Sequence, residues 1–307
     1  MNATSADPRS ERVAYFTVLA PSFHGATTIS ALLNNHPQIV SLGDTNPPRV
    51  FEHHECTCGV EIKSCPFWVS LRGAMAPFEQ SDTPSWFPTR PRFAGGTSRA
   101  DSYIATAASM LDAGGVLSAS LGRTTPYRHF LDYLEKSADF VRMASGKPVY
   151  VDGEKSLTKY LAGQLAGLKP RGIVHIFRDP RAFAASSKRV GVAPERAARE
   201  WRVYHARLTR LTGSAMDTPV KRFRYEDFSA DPKRVMAELF SFMGVANAEV
   251  FYRPKPEDFW HQTGNRTILK FNGDIRESDK WRTELTAEEA QRVLELCGPL
   301  AKTYGYR

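Results

Sequence analysis

No run of apolar residues in this 307-residue chain approaches the length of a membrane span, which is roughly 18 residues or more. The opening stretch, MNATSADPRSER, is polar and has no apolar h-region, so no signal peptide is expected. These absences predict a soluble, cytoplasmic protein. Cysteine is scarce: Cys56, Cys58, Cys65 and Cys297. Three of the four fall in HHECTCGVEIKSCPFW, whose spacing fits no standard zinc pattern. Zinc with His53 or His54 as fourth ligand, a disulfide or redox pair, and plain reduced thiols all stay open. No internal repeat occurs. Acidic residues are outnumbered, 33 against 41 Lys and Arg, for a net charge of +8. That excess favours anionic ligands. Nucleic acid is the weakest such class, because the arginines are dispersed and no basic-aromatic motif occurs. With 42% hydrophobic residues the chain can bury a core, which sets disorder aside.

What is present is an alternation. Apolar, β-branched runs ending in turns occur at 12–20, 38–43, 147–153, 171–179 and 219–227. Helical patterns lie between most of them, including TISALLNN, LTKYLAGQLAGL and RAFAASSKR. The stretch 194–214 reads as one long helix, with Ala197, Trp201, Tyr204, Leu208 and Leu211 forming a core-facing stripe. Asp231, Pro232 and Gly244 bracket a further helix. Thr286 and Glu289 form a capping box for the last one. The pattern predicts an α/β fold, three layers in the order α/β/α around a mainly parallel sheet. One domain covers 1–307, with a loose tail at 1–12. The region 47–146 is rich in Pro, Gly, Ser and Arg. It reads as an insertion of loops and short helices, a lid or acceptor-side wall.

In LAPSFHGATTISALLNNHP a strand run leads through a short loop into a helix. Ligands of open parallel sheets sit at the carboxyl ends of strands, where a helix N-terminus offers free N–H groups. Gly25 and Ala26 allow close backbone approach, Thr27 and Thr28 add hydroxyls, and His24 adds an imidazole. The lysine of G-x-x-x-x-G-K-[ST] is missing, which argues against an ATP loop with its γ-phosphate and Mg²⁺. In IFRDPRAFAASSKR, Arg178 ends an apolar strand and Ser186 follows on the next helix. A fork-shaped guanidinium and a hydroxyl so placed can grip one phosphate.

RDPRAFAASSKR, with Arg181 and Arg189, resembles the second phosphate motif of the PAPS-dependent sulfotransferases (PAPS is 3′-phosphoadenosine 5′-phosphosulfate). LAPSFHGATTISALLNNHPQIVSLGD is similar, more loosely, to their 5′-phosphosulfate loop. DGEKSLTKYL, FRYEDFSADPKRVMAELFSFMGV and GNRTILKFNGDIRESDKWRTELTAEE resemble later stretches in the same order, and CTCGVEIKSCPFW resembles a Cys-rich insert of some relatives. The resemblance implies a P-loop NTPase-like fold and sulfuryl transfer to a hydroxyl, or to an amine, of a carbohydrate, lipid or small-molecule acceptor. It further implies that Ser22, Phe23, His24, Gly25, Ala26, Thr27 and Thr28 hold the 5′-phosphosulfate. Arg178, Ser186 and Arg189 then take the 3′-phosphate, Tyr225 lies near the adenine, and Asn265, Arg266 and Lys280 complete the donor site.

Asp44, where relatives carry Glu, is the first choice of base. His24 is the second, and Lys155 is the spare cation for the moving group. The product is adenosine 3′,5′-bisphosphate, and no metal is needed, since there is no β/γ-phosphate pair to bridge. The first loop departs from the family at three positions. His24 stands for Lys or Arg, Gly25 for Ser, and Ala26 for Gly. Alternatives from other classes are a P-loop-type nucleotide or small-molecule kinase and a non-catalytic binder of PAPS or its product. The acceptor and the oligomeric state are not encoded in any motif.

Overall fold

Strand β1 (Tyr15–Leu19) sits at the centre of a five-stranded sheet. The computed structural model describes residues 15–45, 54–78, 124–165, 168–213, 218–251, 260–263, 271, 275 and 279–307. The other strands are β2 (Ile39–Val40), β3 (Val149–Asp152), β4 (Gly172–Phe177) and β5 (Val220–Arg224). Their order is β2-β3-β1-β4-β5, and every pairing between these five strands is parallel. All five expected strands are therefore present. The second is shorter than its apolar run, and Asp44 lies beyond its end rather than on it.

Alternation along β1 sorts its side chains into two cores. Phe16 and Val18 join Ile29, Leu32 and Leu33 of α1 (Ala26–Asn34) and Val235, Met236, Leu239 and Phe240 of α8 (Pro232–Met243). Leu19 faces the other way, against Leu157 and Leu161 of α4 (Leu157–Leu165) and Leu208 of α6 (Pro194–Gly213). Each fully buried Leu, Ile or Phe contributes about 1.5–3 kcal/mol, so two faces of this size hold a sheet that no single helix could. Edge strand β5 buries only Phe223 and carries Lys221 and Arg222, charges that discourage edge-to-edge pairing.

The helix ends follow their local chemistry. Asp231 caps α8 by accepting from the Arg234 N–H at 3.1 Å, and Gly244 closes it at φ 72°. Asp179 caps α5 (Pro180–Lys188) by accepting from the Arg181 N–H at 2.8 Å. Thr286 and Glu289 form both bonds of the capping box on α10 (Ala287–Thr303), which breaks at Gly298 before Pro299. Short helices α7 (Tyr225–Ala230) and α9 (Trp281–Glu284) follow β5 and precede α10.

The region 47–146 differs from the expectation. Where described, it holds α2 (Pro66–Met75) and the 21-residue α3 (Thr125–Ser145), which is not a short helix. Tyr127, Phe130, Tyr133, Ala138 and Val141 of α3 are buried. Tyr133, Ala138 and Val141 pack with Trp68 and Leu71 of α2 and with Val40 and Tyr150 of the sheet. The aromatic stripe is diluted by interleaved Arg, Asp, Glu and Lys, and its core role emerges only once α2 covers it. No described helix is long and apolar enough to cross a membrane.

Candidate active site

The carboxyl ends of all five strands lead into the residues of interest. Phe23 follows β1, Asp44 follows β2, Lys155 follows β3, Arg178 follows β4 and Tyr225 follows β5. Among the described non-glycine residues only Phe23, Lys155 and His261 have positive φ, at 62°, 67° and 47°. Such conformations cost about 1–3 kcal/mol each and gather at functional sites.

The loop from Ser22 to Gly25 turns the chain into α1. Gly25 opens the helix at φ 79°, and no side chain caps it, so the first N–H groups and the positive end of the helix face the loop. A Cβ at Gly25 would run into the Tyr225 ring, and its φ of 79° is one that favours glycine. Thr27 and Thr28 are half-buried on the first turn, and Ala26 is buried in the core. Arg178 reaches this loop. Its Nη1 donates to the Phe23 carbonyl at 2.6 Å, and its guanidinium lies 4.7 Å over the Tyr225 ring. Trp201 Nε1 donates to the Arg178 carbonyl at 2.9 Å and fixes the base of that arm. Loop, Arg178 and Tyr225 thus form one group.

Ser186 and Arg189 form a second group on α5. Arg189 Nη2 donates to Ser186 Oγ at 3.0 Å, and its Nη1 binds both Glu284 carboxylate oxygens at 2.7 and 2.8 Å. Lys280 is the N-cap of α9, the helix that carries Glu284. Trp281 is half-buried between Arg181 and Arg282, 4.2 and 4.5 Å from its ring. Asn265 and Arg266 lie outside the described residues. The third group is Asp44 and Lys155, an ion pair with Nζ 2.5 Å from Oδ2. Asp44 is held by its own backbone N–H donating to the Thr263 carbonyl at 3.2 Å.

His24 does not sit where the expectation put it. Its ring is wholly buried, with the rings of Phe183 and His205 at 5.2 and 5.3 Å between centroids. His24 Nδ1 lies 2.8 Å from the Ser22 carbonyl, His205 Nε2 lies 3.3 Å from His24 Nε2, and His175 Nε2 lies 2.9 Å from His205 Nδ1. A carbonyl only accepts, so His24 Nδ1 carries the hydrogen. His205 Nε2 then donates to His24, and His175 Nε2 donates to His205. Burial lowers His24 and His175 to about 3 and His205 well below its ordinary value. The three imidazoles are neutral. His24 is a buried tether for the loop, and its imidazolium is disfavoured by burial first and by Arg178 and Lys155 nearby.

A buried ionic cluster supports the Asp44 side. Lys159 Nζ is 2.8 Å from Asp152 Oδ2 and 2.6 Å from Glu154 Oε2, to which Thr45 Oγ1 also donates at 3.5 Å. Burial raises the Glu154 carboxyl to about 7 against the pull of Lys159, and the negative charges of Asp152 and Asp44 push the same way. The motif DGEKSLTKYL contains both lysines, yet only geometry separates Lys155 at the edge from Lys159 inside. His175, His205 and Glu226 were likewise invisible as site supports. Glu226 accepts from the Asp179 N–H at 2.9 Å and from Tyr306 Oη at 2.8 Å, tying β4, α7 and the C-terminus together.

With this geometry, the fold can be compared with known structures. The sulfotransferase domain from the Synechococcus PCC 7002 olefin synthase matches with a TM-score of 0.50 at 16% identity, over 95% of this chain and 94% of that one. The chain has the fold of a sulfotransferase domain. Two further matches to this fold are the sulfotransferase domain from the curacin biosynthetic pathway (TM-score 0.49, 14% identity, 96% and 98% covered) and sulfotransferase STF9 from Mycobacterium avium (0.48, 15%, 96% and 78%). No family model and no curated protein matches the sequence. In the sulfotransferase fold described here, the sheet order puts β1 at the switch point, between β3 and β4. This is where open α/β sheets place their ligands.

Proposed function

We propose that the protein transfers a sulfuryl group from 3′-phosphoadenosine 5′-phosphosulfate to a hydroxyl, or secondarily an amine, of a carbohydrate, lipid or small-molecule acceptor. One observation carries the reading. An uncapped helix N-terminus, a strand-end guanidinium on an aromatic face and an ion-paired carboxylate converge at one sheet edge. On this reading the N–H groups around Phe23 to Thr28 bind the 5′-phosphosulfate, as helix N-termini bind oxyanions. Arg178, Ser186 and Arg189 take the 3′-phosphate after a swing of Arg178 off the Phe23 carbonyl. Tyr225 borders the adenine, and Asn265, Arg266 and Lys280 complete the donor site.

Asp44 accepts the acceptor's proton as the acceptor oxygen attacks sulfur. The sulfur–oxygen bond to the 5′-phosphate breaks, and adenosine 3′,5′-bisphosphate leaves with the bonding pair. Lys155, already against Asp44, stabilises charge on the sulfuryl oxygens. Positioning and fixed charge carry most of the rate in such transfers. The region 47–146 shapes the acceptor side of a single domain spanning 1–307. Calorimetry tests the reading with adenosine 3′,5′-bisphosphate against AMP and ATP. The expected result is tighter binding of the 3′-phosphorylated nucleotide by about tenfold or more, equivalent to about 1.4 kcal/mol. A screen of acceptors with radiolabelled donor should then show label transfer. Equal affinity for the three nucleotides overturns the proposal, and a Mg²⁺-dependent preference for ATP points to the kinase instead.

A further inference from the structure

Far in sequence from its cysteines, His261 closes a cluster that the spacing of HHECTCGVEIKSCPFW did not reveal. The sulfurs of Cys56, Cys58 and Cys65 and a ring nitrogen of His261 all lie within 4.8 Å of one another. Cys58 and Cys65 sulfurs are 3.6 Å apart, and Cys65 and Cys56 sulfurs 3.9 Å apart. His261 Nδ1 is 3.6 Å from the Cys56 sulfur and 3.4 Å from that of Cys65. A covalent S–S bond is about 2.05 Å, so none of these pairs is a disulfide. Four ligands about a tetrahedral Zn²⁺, with Zn–S about 2.3 Å and Zn–N about 2.0–2.1 Å, have edges of ~3.8 Å between sulfurs and ~3.6 Å between sulfur and nitrogen. The four distances match those edges.

We propose that Cys56, Cys58, Cys65 and His261 form a structural Zn²⁺ site that fastens the insertion to the C-terminal part of the chain. The fourth ligand is then neither His53 nor His54, the two the zinc option had offered, but a residue 205 positions from Cys56. Two further observations fit a structural site. Cys56 and Cys65 are fully buried, His261 is half-buried and Cys58 alone of the four is exposed, and four protein ligands leave no coordination position for substrate. His261 holds φ at 47° and stacks on Phe67 with ring centroids 4.8 Å apart and planes 14° apart. A strained backbone and a locked ring persist only where something holds the imidazole in place.

The site also has a consequence for the sheet edge. The Thr57 N–H donates to the Gln262 carbonyl at 3.1 Å, and the Gln262 N–H donates to Thr57 Oγ1 at 2.9 Å. The Thr263 N–H donates to the Leu42 carbonyl at 2.9 Å, and Asp44 donates back to Thr263. Gly43, at φ 75°, has no room for a Cβ against the Thr263 carbonyl. Metal held by His261 would therefore pin the 261–263 strap beside Asp44. This role stands whether or not the chain transfers sulfate.

The test starts with the full chain purified without chelator. Elemental analysis should find about one zinc per chain, and exchange with Co²⁺ should give the visible absorption of a tetrahedral thiolate site. His261→Ala and Cys58→Ser should lose the metal, while His54→Ala and Cys297→Ala should retain it. Removing zinc should raise hydrogen exchange at residues 42–44 and 261–263 and leave β4 protected. Metal-free protein with four titratable thiols overturns the proposal, as does a disulfide seen by mass spectrometry of non-reduced protein. If the variants do not fold, wild-type stoichiometry and the Co²⁺ spectrum decide.

Discussion

Lowering the pH from 7 to 5 should weaken the fold through the three buried imidazoles. His24 and His175 titrate at about 3 in the folded state because burial disfavours their charged forms, whereas an unfolded histidine titrates at about 6.5. Their stabilising effect is complete above the unfolded value and is lost as pH falls from there toward 3, because only the unfolded chain takes up the protons. Between pH 7 and 5 the loss is about 2 kcal/mol for each of the two, or about 4 kcal/mol together. His205 adds a third loss of the same sign.

Glu154 works in the opposite direction. Its folded value of about 7 lies above the ordinary carboxylate value, so its contribution grows as pH falls from 7 and offsets about 2 kcal/mol over the same window. The net expectation is a clear loss of stability. His175→Leu isolates the cause, since leucine cannot titrate. Urea unfolding of wild type and variant at both pH values gives four stabilities. The drop from pH 7 to 5 should be smaller in the variant by about 2 kcal/mol, whatever its absolute stability. An identical drop in both proteins would show that the imidazole charges while folded, and the neutral chain of tautomers would be wrong.

Three further outcomes are expected. Arg178→Ala should weaken binding of adenosine 3′,5′-bisphosphate by about 10- to 150-fold, or about 1.5–3 kcal/mol, with little change in AMP binding, as read by calorimetry. Asp44→Asn should lower kcat about 10²- to 10⁴-fold and leave donor affinity nearly intact, so an unchanged rate would remove Asp44 as base. Gly25→Ala should lower Tm and donor affinity together, because its φ of 79° and the Tyr225 ring leave no room for a methyl. Placing an L residue at such a φ costs about 1–2 kcal/mol before any clash, and a variant as stable as wild type would contradict the packing.

Local chemistry was legible where the code is local. The strand runs, the Asp231–Pro232 start, the Gly244 stop and the Thr286 capping box depend on residues within a few positions of one another. The structure repeats each of them. The meeting of the Phe23 loop with Arg178 and Tyr225 was partly legible, because residues at the carboxyl ends of parallel strands must share an edge. The burial of the His24 imidazole, read from the sequence as a second choice of base at that edge, was not legible. Sequence cannot show which way a ring leaves a turn.

By itself, then, the sequence determined the class of fold, the order of the strands along the chain and the side chains that follow them, since periodicity and turn chemistry act over one or two turns of chain. Tertiary structure alone decided which charges survive. Burial disfavours the charged form of His24, while the sheet edge holds Asp44 and Lys155 as a half-buried ion pair. It alone carried His261 across the chain to three cysteines. Solvation and long-range contact belong to the packed molecule, and no short stretch of residues contains either.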